Sequence, residues 1–240
     1  MIGVVANVRG HTADDYLEAI YALVFPVGEY RPADAATPIA ARVADRLGVS
    51  RAAVGETLRR LEDEGLVERM PNRWIALTPE GMERAEQVVR RRRIVERFLS
   101  DFLDYAPADV HSAAEAVGDS FSDEMVERLH ERLGYPERCP HGWPVAPRAE
   151  QAENEQLLTL AELSAGERCE IVRVAKDDGE LIGWLWAEGF RPGAHVQVED
   201  VQPAAGHLRV RMSGADGDGD ERLIAEKAAR SLFVRRAGGA

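Results

Sequence analysis

Apolar residues recur at helical spacing twice in quick succession near the start of this chain. Ile39, Val43 and Leu47 mark one helix, Gly48 stops it, Ser50 is placed to cap a second, and Val54, Leu58 and Leu61 give that second helix a single apolar stripe. This alternation of helix, tight turn and capped helix predicts a helix-turn-helix. With Val54, Leu58 and Leu61 turned inward, the 3.6-residue period turns Ala52, Glu56, Arg59 and Arg60 outward. Together with Ser50, Arg51 and Ala53 in the first turn, they form the face that a recognition helix lays against base edges in a major groove. Leu66 to Arg69 and Trp74 to Leu77 then alternate as two short strands around Pro71-Asn72, so the unit is expected to be winged, with Arg73 near the wing tip touching phosphate.

The same reading extends along the rest of the chain. Thr12 opens a helix whose core face is Tyr16, Ile20 and Leu23. Thr12 and Asp15 have the spacing of a capping box, while Asp15 and Glu18 share a helix face and offer two carboxylates to a cation. Residues 25 to 38 form a long Pro- and Gly-containing loop without a legible role. From Thr78-Pro79 a long helix runs to Leu103, passing through Arg90-Arg91-Arg92-Arg93, a run expected on a solvated face. Ile94, Phe98 and Phe102 then supply an apolar stripe for core or dimer packing. Residues 110 to 133 read as one or two helices in which His111, Glu115 and Asp119 stack at successive i+4 positions, an imidazole and two carboxylates on one face. Tyr135 to Arg148 contains four prolines and reads as a linker. Beyond Leu157 the pattern changes to short β runs at 168–174, 194–201, 207–212 and 232–235, with a brief helix near 181–188 and an acidic Gly/Asp turn at Gly214 to Asp220, which suggests a small β-barrel.

Charge changes this picture more than composition does. The net charge of −12 over 240 residues argues against a nucleic-acid partner at first sight, because phosphate neutralisation needs local positive potential. Residues 39 to 75, however, hold seven Arg against six acids, and residues 84 to 97 hold six Arg against two Glu. Residues 150 to 240 hold eleven Lys plus Arg against seventeen acids. The acid lies away from the expected reading face, so DNA binding with a weak non-specific component is allowed. No apolar run approaches the ~20 residues of a membrane helix and no signal-peptide pattern opens the chain, so a cytoplasmic location without membrane partners is expected. Cys139 and Cys169 are far apart and give neither a disulfide framework nor a Cys-x-x-Cys motif, and they read as inert or solitary thiols.

Laid end to end, these pieces resemble the diphtheria toxin repressor and manganese transport regulator family of metal-dependent transcriptional regulators. The carriers are Thr12 to Tyr21, Ile39 to Val54, Leu61 to Val67, Leu77 to Gly81, Arg93 to Arg97 and Cys139-Pro-His-Gly-Trp-Pro144. The tail, Leu160 to Gly166 through Gly189 to Gly193, resembles that family's SH3-like, FeoA-type domain. The resemblance implies a mainly α N-terminal two-thirds, made of a winged helix-turn-helix (1–82) and a helical metal-binding and dimerisation domain (83–136). A Pro-rich linker (137–154) and a small SH3-like β-barrel (155–240) follow. It also implies a homodimer that reads a palindromic operator in double-stranded DNA under manganese or ferrous iron. Asp15, Glu18 and Glu115 fall on ligand positions of manganese-type members, Asp119 replaces a family His, and Glu96 and His111 match an ancillary site. Gly118 and Arg92 stand where a Glu and a His are usual.

Two regulator readings therefore remain open. In one, Asp15, Glu18, Glu96, His111, Glu115 and Asp119 rebuild a divalent-metal site. In the other, the Arg92 guanidinium pairs with these carboxylates in place of the ion and DNA binding is independent of metal. An enzyme is not expected, since the chain has no Gly-rich phosphate loop, nucleophile elbow or zinc-protease motif. The barrel is expected to be dispensable for DNA recognition but to modulate the metal-dependent dimer, and Asp178 and Glu180 to lie in a solvated turn.

Overall fold

Helix α2 (Ile39–Leu47) turns into α3 (Arg51–Asp63) through Gly48, whose φ of 64° is the left-handed conformation that a tight helix-ending turn needs. Ser50 caps α3, its hydroxyl accepting from the Ala53 N–H at 3.2 Å. Val54, Leu58 and Leu61 are buried together with Leu17 and Ile20 of α1 (Ala13–Val24) and Val43 of α2. Strands β1 (Val67–Arg69) and β2 (Ile75–Leu77) pair antiparallel, with Arg69 opposite Ile75, as the expected wing. The structure, a computed structural model, describes residues 11–24, 39–70, 74–176, 178–212 and 219–237, so the 25–38 loop, Pro71-Asn72, Arg73 and most of the Gly214 to Asp220 turn lie outside the described residues.

Helix α4 (Pro79–Leu103) leaves the wing over Gly81, where any Cβ would come within 1.8 Å of the Leu66 carbonyl oxygen. Thr78 locks that approach, its hydroxyl donating to Gly65 O at 2.6 Å and accepting from the Gly81 N–H at 3.0 Å. One compact unit ends at Arg90 and a second begins at Arg91, so α4 contributes to both.

In the second unit, α4 continues beside α5 (Val110–Gly118) and α6 (Asp123–Arg132), with Ile94, Val95, Val110, Ala114 and Val126 buried. Here the basic run departs from expectation, because Arg92 and Arg93 are only 3% and 4% exposed. Four consecutive helical residues sweep through the full turn, so a helix packed on more than one side must bury some of them.

The stretch expected as a Pro-rich linker is also different. Residues 147–154 form helix α7 (Pro147–Asn154), started by a proline at its first turn, and Cys139, His141, Trp143 and Val145 are buried. The prolines shape a packed turn rather than a spacer: Gly142 adopts φ 87°, and a Cβ there would lie 2.0 Å from the Val172 carbonyl oxygen.

The C-terminal region is a six-stranded antiparallel sheet in the order β3-β8-β4-β5-β6-β7, made of Leu158–Thr159, Leu232–Arg236, Arg168–Val174, His195–Gln202, His207–Met212 and Glu221–Ala225. Register shifts between Ile171 and Arg173 and between Val198 and Asp200 mark bulges in its central strands. Helices α8 (Gly179–Ala187) and α9 (Glu226–Ala229) complete the region, with Ile182, Leu185 and Ala229 buried in its core. Strand β7 escapes the sequence pattern because Glu221 to Ala225 alternates weakly. Asp178, a residue of a turn expected to be solvated, caps α8 by accepting from the Leu181 N–H at 2.9 Å.

Candidate metal centre and DNA-reading face

The reading face follows from the core of the first unit. Because Val54, Leu58 and Leu61 are buried, Arg51, Ala52, Glu56, Arg59 and Arg60 stand exposed along α3, with Ala53 half-buried beside the Ser50 cap. Arg59 Nε donates to Gly55 O at 3.2 Å, and Arg60 reaches Glu64 at 3.8 Å with both side chains largely in solvent. Such pairs hold a side chain only loosely and leave its guanidinium available to a phosphate.

On α1, the capping box is realised: Asp15 Oδ2 accepts from the Thr12 N–H at 2.6 Å and from its hydroxyl at 3.1 Å. Asp14 pairs with Arg84 at 2.8 Å. Glu18 is half-buried one turn further along.

In the second unit, two of the expected ligands meet at the centre of α4. Glu96 is fully buried, and His111 Nδ1, at the start of α5, donates to its Oε1 at 2.7 Å. An ionised carboxylate only accepts, so this bond places the His111 proton on Nδ1 and leaves a lone pair on Nε2, which lies 3.7 Å from Glu115 Oε1. Burial and the nearby Lys176 ammonium push the His111 pKa down, keeping that lone pair free. Asp119 is exposed at the C-cap of α5.

Arg92 Nη1 approaches Glu115 Oε1 only to 3.8 Å, and Glu115 is about half exposed. The contact lacks the short bidentate geometry of a strong guanidinium–carboxylate pair. Gly118 packs beside the Arg92 stem, and a Cβ there would only make ordinary contact with Arg92 Cγ, at 3.7 Å.

The other half of the site was not read as such in the sequence. Cys139 and His141, on the turn before α7, join Glu96 in a group whose ligand atoms all lie within 4.8 Å of one another. All three are buried. His141 Nε2 donates to the Pro107 carbonyl oxygen at 2.8 Å, which leaves Nδ1 as the ligand-bearing nitrogen of the neutral ring. That Nδ1 and Glu96 Oε2 stand 3.9 Å apart, and neither has a hydrogen-bond partner. Two orphaned polar atoms facing each other in a buried pocket are costly unless a proton or a cation joins them. The electrostatics agree. Burial would raise the Glu96 carboxyl, but Lys176, then His111 and His141, hold it well below the usual carboxylate range. Burial would lower His141, yet Cys139 and Glu96 lift it to about 10. The imidazole, thiol and carboxylate suit a borderline divalent metal, with the thiol giving up its proton on binding. The signal available in the sequence was the Cys139-Pro-His141-Gly spacing, which puts two soft donors on one Pro/Gly-fixed turn.

Comparisons with known proteins cover most of the chain. The iron dependent repressor N-terminal DNA binding domain matches residues 10–74, the iron dependent repressor metal binding and dimerisation domain matches 78–146, and the FeoA domain matches 158–236. The iron-dependent repressor IdeR of Mycobacterium leprae is 32% identical over 201 residues, covering 78% of this chain and 84% of that protein. The diphtheria toxin repressor of Corynebacterium efficiens is 32% identical over 201 residues, covering 80% and 84%. Among solved structures, a manganese-dependent transcriptional repressor in complex with manganese superposes with a TM-score of 0.81 at 26% identity, covering 94% of this chain and all of that one. ScaR with bound zinc gives 0.74 at 26% identity, covering 95% and all of that chain.

Proposed function

The chain belongs to the iron-dependent repressor family, and from that premise we propose that it is a homodimeric, metal-responsive transcriptional repressor that reads a palindromic operator in duplex DNA. The observation that carries the metal half is the facing pair of unpartnered atoms, Glu96 Oε2 and His141 Nδ1, beside the Cys139 thiol. Glu96, Cys139 and His141 would hold the ion, which supplies the partner that Glu96 Oε2 and His141 Nδ1 lack. His111 fixes the Glu96 carboxylate from its other oxygen, and Pro107 fixes the His141 ring. Glu115 and Asp119 in the second unit and, separately, Asp15 and Glu18 in the first are proposed as oxygen donors to a cation, with manganese or ferrous iron as the physiological ion.

The DNA half rests on α3. Ser50, Arg51, Ala52, Ala53, Glu56, Arg59 and Arg60 form the reading face, and Arg73 is assigned to phosphate from its place in the sequence. Glu56 can accept from a cytosine amino group, while Arg59 and Arg60 contact guanine or phosphate. No helix among the described residues is long and apolar enough to cross a membrane.

The test is operator binding, with DNA selected from a random pool, followed at fixed salt with manganese, with ferrous iron under anaerobic conditions, and with chelator. Metal should raise affinity, and His141→Ala and Glu115→Ala should each blunt the response. Unchanged affinity across metal and chelator would refute metal control while leaving DNA binding standing.

A further inference from the structure

The two oxygens of Glu96 have opposite surroundings. Oε2 faces His141 and Cys139 without a hydrogen-bond donor, whereas Oε1 takes both His111 Nδ1 at 2.7 Å and Lys176 Nζ at 3.2 Å. Lys176 comes from the FeoA-like sheet, just past the end of β4, and its side chain is 8% exposed. The strand end that carries it is fixed, since the Ala175 N–H donates to Ser231 O at 2.9 Å and the Trp143 indole donates to Val174 O at 2.8 Å. Nζ also lies 6.0 Å from the Trp143 ring centre, on an aromatic face that favours a cation.

A buried ammonium and a buried carboxylate are each expensive alone, and together they satisfy one another. The pocket therefore already contains one compensating cation. A divalent ion on Glu96 Oε2, His141 Nδ1 and the Cys139 thiolate would find its two charges balanced by Glu96 and Cys139. The Lys176 ammonium would then be left in excess at short range in a medium that screens poorly. We propose that Lys176 is a tethered resident cation of this pocket, one that ties the sheet to α4 without metal and sets the threshold an incoming metal ion must exceed. The proposal rests on the metal-centre reading of Glu96, Cys139 and His141. It concerns a residue contributed by a different domain from those three.

The test uses the full chain and cobalt(II) alone as the probe, read by the thiolate-to-cobalt charge-transfer absorption that only Cys139 can give in this pocket. Lys176→Met, similar in length but uncharged, should bind cobalt at least about tenfold more tightly than the parent, which is the ratio that about 1.4 kcal/mol represents. Lys176→Arg keeps the charge and should stay near the parent. Cys139→Ser should remove the band in every background. Thermal melts give a second readout: Lys176→Met should be less stable than the parent without metal and recover with cobalt. Equal or weaker cobalt binding by Lys176→Met overturns the proposal, as does a variant that stays unfolded at saturating cobalt, which would make Lys176 a structural clamp alone. Operator binding that ignores metal in the parent, with tighter cobalt binding in Lys176→Met, would remove metal control of DNA binding and leave this inference intact.

Discussion

Two buried polar clusters lie in the second unit, and they solve the same problem in different ways. Around Glu153, arginines surround a carboxylate: Arg138 reaches it at 2.6 Å and 3.1 Å, Arg235 at 3.0 Å, and Arg173, itself fully buried, through both Nε and Nη2. Arg93 adds Glu150 at 2.6 Å and the Pro144 carbonyl oxygen at 2.7 Å, and the Trp143 ring lies 5.0 Å from the Arg173 guanidinium and 5.5 Å from that of Arg93. Around Glu96, by contrast, an imidazole and a thiol face an oxygen that nothing donates to. Guanidinium does not give up its proton and cannot coordinate a cation, so the first cluster is closed. Imidazole and thiol exchange protons for metal, so the second is built for occupancy. Buried charge by itself therefore does not mark a site; a buried acceptor without a donor does.

The largest effect should come from breaking the closed cluster. Glu153→Ala leaves three arginines without their shared partner, one of them fully buried, and should cost about 3–5 kcal/mol. At about 2–4 °C per kcal/mol for a chain of this size, melting should fall by roughly ten degrees. Truncation after Arg148 removes Glu150, Glu153 and Arg173 together and takes from Arg93 its Glu150 carboxylate, so the helical region should not fold alone. That outcome would make the barrel structural rather than dispensable for DNA recognition. A truncated chain that melts cooperatively like the parent would refute this.

Acid should weaken the closed cluster too. Burial would raise the Glu153 carboxyl, but Arg138 and Arg173 hold it below its ordinary value. A depressed folded-state pKa contributes stability that is present above the unfolded value near 4.3 and is lost as pH falls through the folded one. Urea unfolding between pH 5 and pH 3 should show this loss, and Glu153→Gln should flatten the slope over that window. A variant with the parent's slope would assign acid lability elsewhere.

Gly142 joins the two clusters, with Cys139 and His141 on one side of it and Trp143 on the other. Gly142→Ala must both strain a φ of 87° and push a Cβ against the Val172 carbonyl oxygen. Stability should drop by about 1–3 kcal/mol for the backbone strain alone, and metal affinity should drop with it, since Cys139 and His141 move together. A loss of stability with unchanged cobalt affinity would show that the turn does not set ligand positions.

How much of this was legible in the sequence depends on the range of the interaction. The winged helix-turn-helix, the extent of α4 and four of the barrel strands follow from local period and punctuation, and they were found within a residue or two. Glu96 and His111 came through the family resemblance, and the structure puts them in contact. Arg92 and Arg93 were misplaced because a run of four like charges has no periodicity to show which members turn inward. Residues 137 to 154 were misread because proline density looks alike in a spacer and in a rigid packed turn, and only Gly142 with its close backbone approach separates the two. Cys139 and His141 were missed as ligands because their third partner, Glu96, is more than forty residues away, and Lys176 because its partner is eighty residues away.

The smallest stability effect should belong to the exposed arginines of α3, and it sharpens the contrast with the buried ones. Arg60 is largely in solvent and pairs with Glu64 at 3.8 Å, a contact worth little in water, and Arg59 only touches a carbonyl of its own helix. Arg59→Ala and Arg60→Ala should therefore leave unfolding within about 0.5 kcal/mol of the parent. Their effect should appear only with DNA. Loss of a phosphate contact should weaken binding across sequences and lower the salt slope by about one, whereas loss of a guanine contact should cost about 1–3 kcal/mol at one operator position and relax its base preference. Titration of the selected operator and of single-base variants at several salt concentrations distinguishes the two roles. Parent-like binding of both variants throughout would move the reading face off α3, and the exposed arginines of this helix would then have neither a structural nor a recognition role.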